Sequence, residues 1–349
     1  MKLGEHLTDD PMVGQRAWRG PSIQEIARAS GVGTATVDRV LNGRGGVREA
    51  TREKVIAALA ALRGTTDATS IRKRRIAVLS DSGQSFNQTL GEAVRAVLES
   101  RPDIDCPFTS VATSQVNPIV LAQSIERLAE DADGLVVVAR EDLMVNRALR
   151  AVAHRERPVV CLTTDLPNSG RIAYVGNDQV AAGSTAAYLM GRAIGDRSGK
   201  ILMVYSAPFR SQEEREQGFR RILRKEFSQL VIDERVSSND ETERSRRNVL
   251  RYLEEHGAPI GIYNVAGGNL GIGLALKDAG LDDKVVFIGH ELNANSRMLL
   301  EAGQMDFVIG HDVEREFALA IDAIQATLDG RPPPVTMTKV RIFTKYNCE

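Results

Sequence analysis

Arg39, with Thr34 and Ala35 just over one helical turn upstream, forms the group in this sequence best suited to reading a nucleic acid. A guanidinium offers a bidentate fork to guanine O6 and N7, and a hydroxyl and a methyl make short-range contacts with base edges. Thr36 and Asn42 are placed for phosphates, which set register without reading sequence. Arg44 adds a positive charge in the next loop.

Other chemistry is poorly served. Gly267, Gly268, Gly271 and Gly273 do not make G-x-G-x-x-G, and no G-x-x-x-x-G-K-[ST] occurs, so nucleotide fingerprints are missing. His290-Glu291 has no histidine at position 294, and no serine sits in G-x-S-x-G, which removes zinc-protease and hydrolase signatures. Cys106, Cys161 and Cys348 are odd in number and widely spaced, against a disulfide framework or a zinc finger. No catalytic residue, metal or cofactor is expected.

The elements that must position Arg39 are legible. Ser22-Ile23-Gln24-Glu25 has the capping-box form that starts a helix, and Ile23, Ile26 and Ala27 recur on one face. Ser30-Gly31-Val32-Gly33 stops it. A second helix follows over residues 34–41, with Val37, Val40 and Leu41 turned inward. After a glycine-rich loop, Val55, Ile56, Leu59 and Leu62 mark a third helix from about Arg48. Two short helices joined by a glycine-bearing turn make a helix-turn-helix. Asp38, beside the reading face, must turn away from phosphate or pair with Arg39 or Arg44.

Charge agrees with this placement. The whole chain carries a formal net charge of −1, which by itself argues against a nucleic-acid partner. Residues 1–75, however, hold 14 basic against 8 acidic residues, a balance of +6, and the remainder holds 31 against 38, or −7. A basic head is joined to an acidic body.

The string SIQEIARASGVGTATVDRVLNGRGGVREATREKVIAALAAL, residues 22–62, resembles the DNA-binding headpiece of the lactose-repressor (LacI/GalR) family of bacterial regulators. The resemblance implies operator DNA as a partner. Relatives usually continue with Tyr-x-Pro-Asn and a hinge helix whose leucine wedges into the minor groove. Here a shorter basic segment, residues 64–75, follows, and either Ile71 serves as the wedge or the segment is a plain linker.

From residue 76 short apolar runs alternate with helical periods. Strands are expected at 76–79, 135–139, 159–162, 173–175, 201–205, 261–263, 285–288 and 307–309, with helices at 90–99, 119–131, 180–194, 212–226, 244–255 and 271–279. This alternation predicts parallel sheets covered on both faces. The fold class is therefore α/β, an all-α headpiece followed by a doubly wound body. That body resembles the two-lobed periplasmic sugar-binding fold of the same family, whose chain crosses between lobes three times.

The domain plan is a flexible tail (1–20), headpiece (21–63), linker (64–75), two-lobed body (76–343) and tail (344–349). Crossings are expected at 195–199, 310–313 and 330–334, giving one lobe of 76–195 with 311–330 and another of 196–310 with 331–343. Ligands in such sheets bind beyond the carboxyl ends of the strands.

Through the resemblance, Phe86 is a platform for a sugar ring or else a cap on the core, with Gln84 and Asn87 reaching hydroxyls. Asp165 matches an aspartate that accepts from sugar hydroxyls. Arg215, in Arg-x-x-Gly-Phe form, either reaches the ligand or pairs with nearby glutamates. Asn264 sits where glycines let backbone approach a ligand. Glu291 stands for a hydroxyl-binding aspartate, and His311 is either a ligand contact or a structural histidine.

The expected protein is a ligand-responsive regulator, most simply a repressor, binding a palindromic operator as a homodimer under control of a small sugar or polyol. The alternatives are a sensor or carrier of the same fold without DNA function, or an α/β enzyme without a recognisable motif. No run of about 18 apolar residues predicts a membrane span. The charged first residues are unlike an export signal, so a cytoplasmic location is expected.

Overall fold

A computed structural model of the 349-residue chain describes residues 21–42, 44–66 and 73–349. The expected tail at 1–20 and the expected wedge Ile71 lie outside the described residues. The chain divides into two compact units, Met1–Arg72 and Lys73–Glu349.

The first unit contains α1 (Ile23–Ser30), α2 (Thr34–Leu41) and α3 (Glu49–Thr66). The Ser22 hydroxyl accepts the Glu25 N–H, and the Glu25 carboxylate accepts the Ser22 N–H at 2.7 Å, closing the capping box. Gly31 ends α1 in the left-handed region, at φ 67°, which costs glycine little. Ile26, Val37, Val40 and Val55 form the core, with Val32, Val47, Leu59 and Leu62 around it. Two expected inward residues face out: Leu41 is 43% exposed and Ile56 53%. The buried stripe of α3 runs through Val55, Ala58, Leu59 and Leu62, and Ile56 falls one helical step, about 100°, off it.

The second unit opens with β1 (Arg74–Ser82), α4 (Gln84–Glu99), β2 (Ile104–Asp105), β3 (Phe108–Ala112), α5 (Pro118–Glu130), β4 (Gly134–Val138), α6 (Leu143–His154), β5 (Val159–Leu162) and β6 (Ala173–Asn177). It continues with α7 (Gln179–Ile194), β7 (Gly199–Tyr205), α8 (Arg210–Glu226), β8 (Leu230–Ser237), α9 (Thr242–His256) and β9 (Gly261–Asn264). Then come α10 (Asn269–Asp278), β10 (Val286–His290), α11 (Ala294–Glu301), β11 (Phe307–Gly310), α12 (Val313–Leu328), β12 (Met337–Thr338) and β13 (Arg341–Phe343).

One sheet runs β12-β6-β5-β4-β1-β2, with β3 also on β1; the other runs β13-β11-β10-β9-β7-β8. Pairing is parallel except between β11 and β13. Fully buried strands such as Gly134–Val138 show why: helices cover both faces, so valines point both ways.

Two lobe crossings fall elsewhere than the sequence suggests. Ala182, Ala186, Ala187 and Met190 of α7 pack with Ile201 and Met203 of β7, so the first crossing precedes α7, near Asp178, and not at 195–199. The segment from Gly195 to Gly199 is the turn from α7 into β7 of its own lobe. β12 pairs with β6 of the first lobe and β13 with β11 of the second, so the last crossing is at 339–340 and not at 330–334. The middle one lies between β11 and α12, whose Phe317, Ala320, Ile321 and Ile324 pack in the first lobe. The terminal segment is not a free tail, because Cys348 is buried in the second lobe.

Candidate functional site

In the headpiece Thr34, Ala35 and Arg39 are exposed along α2. Arg39 has no ion pair among the described residues. Asp38 takes the other choice open to it: its carboxylate accepts from Asn42 Nδ2 at 2.8 Å and pairs with Arg44 at 3.3 Å. Asn42 and Arg44 are thereby held beside the recognition helix, and the positive charge of Arg44 offsets the Asp38 carboxylate near the reading face.

In the body the strand ends of both lobes meet over a closed cleft. An inner cavity of about 20 Å³ is lined by Ser82, Phe86, Thr163, Phe209, Arg215 and Glu291, among others. A neighbouring cavity of the same size adds Gly83, Asp240 and Gly267. Each has room for about one water. A larger polar groove of about 660 Å³, with Gln84, Ser114, Glu243 and Asn295 on its walls, opens beside them.

The side chains are set by packing beneath them. Arg215 lies on α8, which meets α7 with backbones almost touching. A Cβ on Gly218 would stand 2.1 Å from the Val180 carbonyl oxygen, and one on Gly183 1.9 Å from that of Arg215. Arg215 Nε donates to Gln179 Oε1 at 2.7 Å and Nη1 to the Val265 carbonyl at 2.8 Å. Gln179 Nε2 in turn donates to the Thr163 carbonyl at 3.0 Å. One glutamine beside the first crossing thus links Arg215 to the opposite lobe.

Several bonds hold the lobes shut. Thr113 Oγ1 donates to Asp240 at 3.1 Å, the Ser211 N–H to Thr164 Oγ1 at 3.3 Å, and Arg140 lies 5.6 Å over the ring of Phe209. Arg140 is aimed by a bidentate pair with the fully buried Asp81, both contacts 2.7 Å. Such planar fork-to-fork pairing fixes direction as well as charge.

Burial raises the carboxyl groups of Asp240 and Glu291 above the ordinary range, partly countered by bonds from Gly267 and Thr113 to Asp240 and by the charge of Arg215 near Glu291. Both residues are partly exposed overall, but their carboxylates face the closed interior. Burial also lowers His290, which meets the Tyr263 hydroxyl at 2.8 Å. Burial opposes charge on His311 too, yet the Glu316 carboxylate, 2.8 Å from Nδ1, outweighs it and raises the pKa.

The structure brings Phe86, Arg215 and Glu291 to the cavities. Gln84 faces the outer groove. His311 lies under the cleft with its ring 6.5 Å from that of Phe86. The other three have different work. Asn87 accepts from Ser80 and donates to the Ser82 and Val111 carbonyls, stitching α4 to β1 and β3. Asp165 forms a bidentate pair with Arg171. Asn264 donates to Gly267 and Asn269 and accepts from Ala266, shaping its own loop.

Asp81, Arg140, Thr163, Thr164, Phe209, Gln212 and Asp240 escaped the sequence reading. Thr163 and Thr164 immediately precede Asp165, so a register offset of one or two residues along that loop hid them. Asp240 follows β8, whose central Asp233-Glu234-Arg235 masks the strand pattern.

Helix-turn-helix plus two lobes closing over a polar cleft define a ligand-responsive DNA-binding regulator. The sequence profile of the bacterial regulatory proteins, lacI family, matches residues 22–63, and that of the periplasmic binding protein domain matches residues 76–332. The chain belongs to the lacI family of bacterial transcriptional regulators, with a periplasmic-binding-protein effector domain.

Among curated proteins no sequence relative matches. Solved structures share the fold of the body. A carbohydrate transporter solute-binding protein from Agrobacterium radiobacter, in complex with D-arabinose, is 17% identical at TM-score 0.72, over 80% of this chain and 96% of that one. A solute-binding protein from Burkholderia graminis, also with D-arabinose, is 20% identical at 0.72, over 80% and 98%. A candidate LacI transcriptional regulator from Bacteroides fragilis is 16% identical at 0.70, over 79% and 98%. No described helix is long and apolar enough to cross a membrane.

Proposed function

We propose that this regulator is a cytoplasmic, non-enzymatic repressor that binds a palindromic operator as a homodimer and answers to a small sugar or polyol. The observation that carries the reading is the pairing, in one chain, of an uncommitted Arg39 on an exposed recognition helix with a cleft lined by Phe86, Arg215 and Glu291. Arg39, Thr34 and Ala35 read base edges, while Thr36, Asn42 and Arg44 hold phosphates. In the effector domain an aromatic face, hydroxyls and charged groups converge, the chemistry that orients a polyhydroxylated ligand. The two arabinose complexes support the same class of ligand.

Closure of the lobes around the ligand alters the spacing of two headpieces that must meet half-sites about one helical turn apart. Ligand and DNA affinities are therefore linked reciprocally. The test is fluorescence anisotropy of the full chain on the palindromic sequence nearest its own gene, with a thermal-shift screen of sugars and polyols. Salt-dependent binding that Arg39→Ala weakens at least roughly tenfold is expected. Tight binding indifferent to that change overturns the recognition helix, and a screen in which no sugar or polyol shifts the midpoint overturns the effector class.

A further inference from the structure

The inner cleft is built for a positive charge. Its charged groups are Asp81, Asp240, Glu291 and Glu316 against Arg140 and Arg215, with His311 beside Glu316. Asp81 and Arg140 cancel as a bidentate pair, and Glu316 is matched by His311 and by the Thr338 hydroxyl. That leaves Asp240 and Glu291 facing the cavities, with Arg215 the single further cation lining them among the described residues. Arg215 donates to neutral acceptors, Gln179 and the Val265 carbonyl.

Glu291 is the less satisfied of the two carboxylates. Asp240 accepts from Thr113 and from the Gly267 N–H at 2.8 Å. The Glu291 carboxylate has no hydrogen bond or ion pair among the described residues. A buried carboxylate without a donor is strongly disfavoured, and a positively charged partner is the most effective remedy.

A second observation points to a polar ligand. Thr163, 6% exposed and lining the same cavity as Glu291, has a buried Oγ1 with no partner. Thr163, Asp240 and Glu291 also adopt φ of 63°, 58° and 69°. Non-glycine residues are rarely held in the left-handed region unless the surroundings enforce it, and such strain gathers at binding sites. Three residues held this way from three loops of two lobes line one pair of cavities.

We propose that the effector is an amine-bearing sugar or polyol, whose ammonium group lies between Asp240 and Glu291 while its hydroxyls meet Thr163 and Gln212. This inference rests on the polyhydroxylated class proposed above and narrows it. Among the described residues no three His, Cys, Asp or Glu side chains converge as a metal ion needs, which makes an organic cation the better fit.

The experiment is a thermal-shift titration of the full chain with glucosamine, galactosamine and glucamine, each against its neutral counterpart glucose, galactose or sorbitol. An amine compound is expected to bind at least about tenfold more tightly than its neutral partner, with the preference lost in Glu291→Gln. Should that variant not fold, Asp240→Asn, which keeps the shape and removes the other charge, is to show the same loss. Neutral compounds binding as well as or better than their amines overturn the ammonium site and leave the sugar class standing. No shift with either series overturns both. An amine preference unchanged in both variants also overturns the assignment.

Discussion

Thr113 and Asp240, 127 residues apart in sequence, meet across the cleft with the threonine hydroxyl donating to the carboxylate at 3.1 Å. The contact joins the loop after β3 of one lobe to the loop after β8 of the other, so it exists only when the lobes are closed. It is one of several contacts between the lobes, beside the Ser211 N–H bond to Thr164.

Thr113→Val keeps the side-chain volume and removes the donor. Losing one such bond, about 0.5–1.5 kcal/mol, shifts population toward the open form and is expected to weaken effector affinity roughly 2- to 10-fold. Calorimetric titration with any ligand found by the screen checks this; an unchanged affinity means this contact does not govern closure.

Asp38→Ala acts on the headpiece alone. Removing the carboxylate frees Arg44 and Asn42 for phosphate and deletes a repulsive charge. Non-specific DNA affinity is expected to rise, and the slope of log affinity against log salt to steepen by about one. Parallel salt titrations of the two proteins decide it.

Gly218→Ala tests the contact that seats Arg215. A methyl group there has no room against the Val180 carbonyl, and over-packing costs about 1–3 kcal/mol. A fall in Tm of roughly 2–10 °C is expected for a unit this size, with ligand affinity falling as α8 shifts. Full stability would show that the backbones can separate without loss.

His311 gives a pH signature. Its folded pKa lies above the ordinary 6.5 because the attraction of Glu316 outweighs burial. The extra stability is therefore complete below about pH 6.5, the unfolded value, and fades as pH rises through the higher folded one. Asp240 and Glu291 are also raised, so their ionisation costs stability as pH climbs above the ordinary carboxylate range. The difference in Tm between wild type and His311→Gln isolates the histidine: it is expected to be largest at pH 5.5–6.5 and to shrink toward pH 9, whereas a flat difference contradicts the assignment.

The headpiece was legible because its determinants are local. The Ser22–Glu25 capping box, the Gly31 stop and the spacing of Val37 and Val40 each act within a few residues, and the charge split between the first 75 residues and the rest needs only counting. The helix α6 and strand β8 were harder to see. β8 carries Asp233-Glu234-Arg235 in its middle and is a sheet edge, so its sequence lacks the apolar run of a central strand.

By itself, the sequence determined the two-part plan and the alternation of strand and helix, and its family resemblance offered Phe86, Arg215 and Glu291 among eight candidates for the ligand. Only the tertiary structure decided which polar residues face the cleft and which bond to their own lobe. Asn87, Asp165 and Asn264 have side chains fit for a sugar, but loop and turn geometry gives their hydrogen-bonding atoms to residues mostly two to seven positions away, with Val111 the one distant partner of Asn87. Asp81, Arg140 and Asp240 gain their roles from partners 59 and 127 residues away. Local spacing fixes periodicity and caps. The partner of a buried polar group depends on which distant segments pack beside it, and that is settled when the two sheets and their crossings come together.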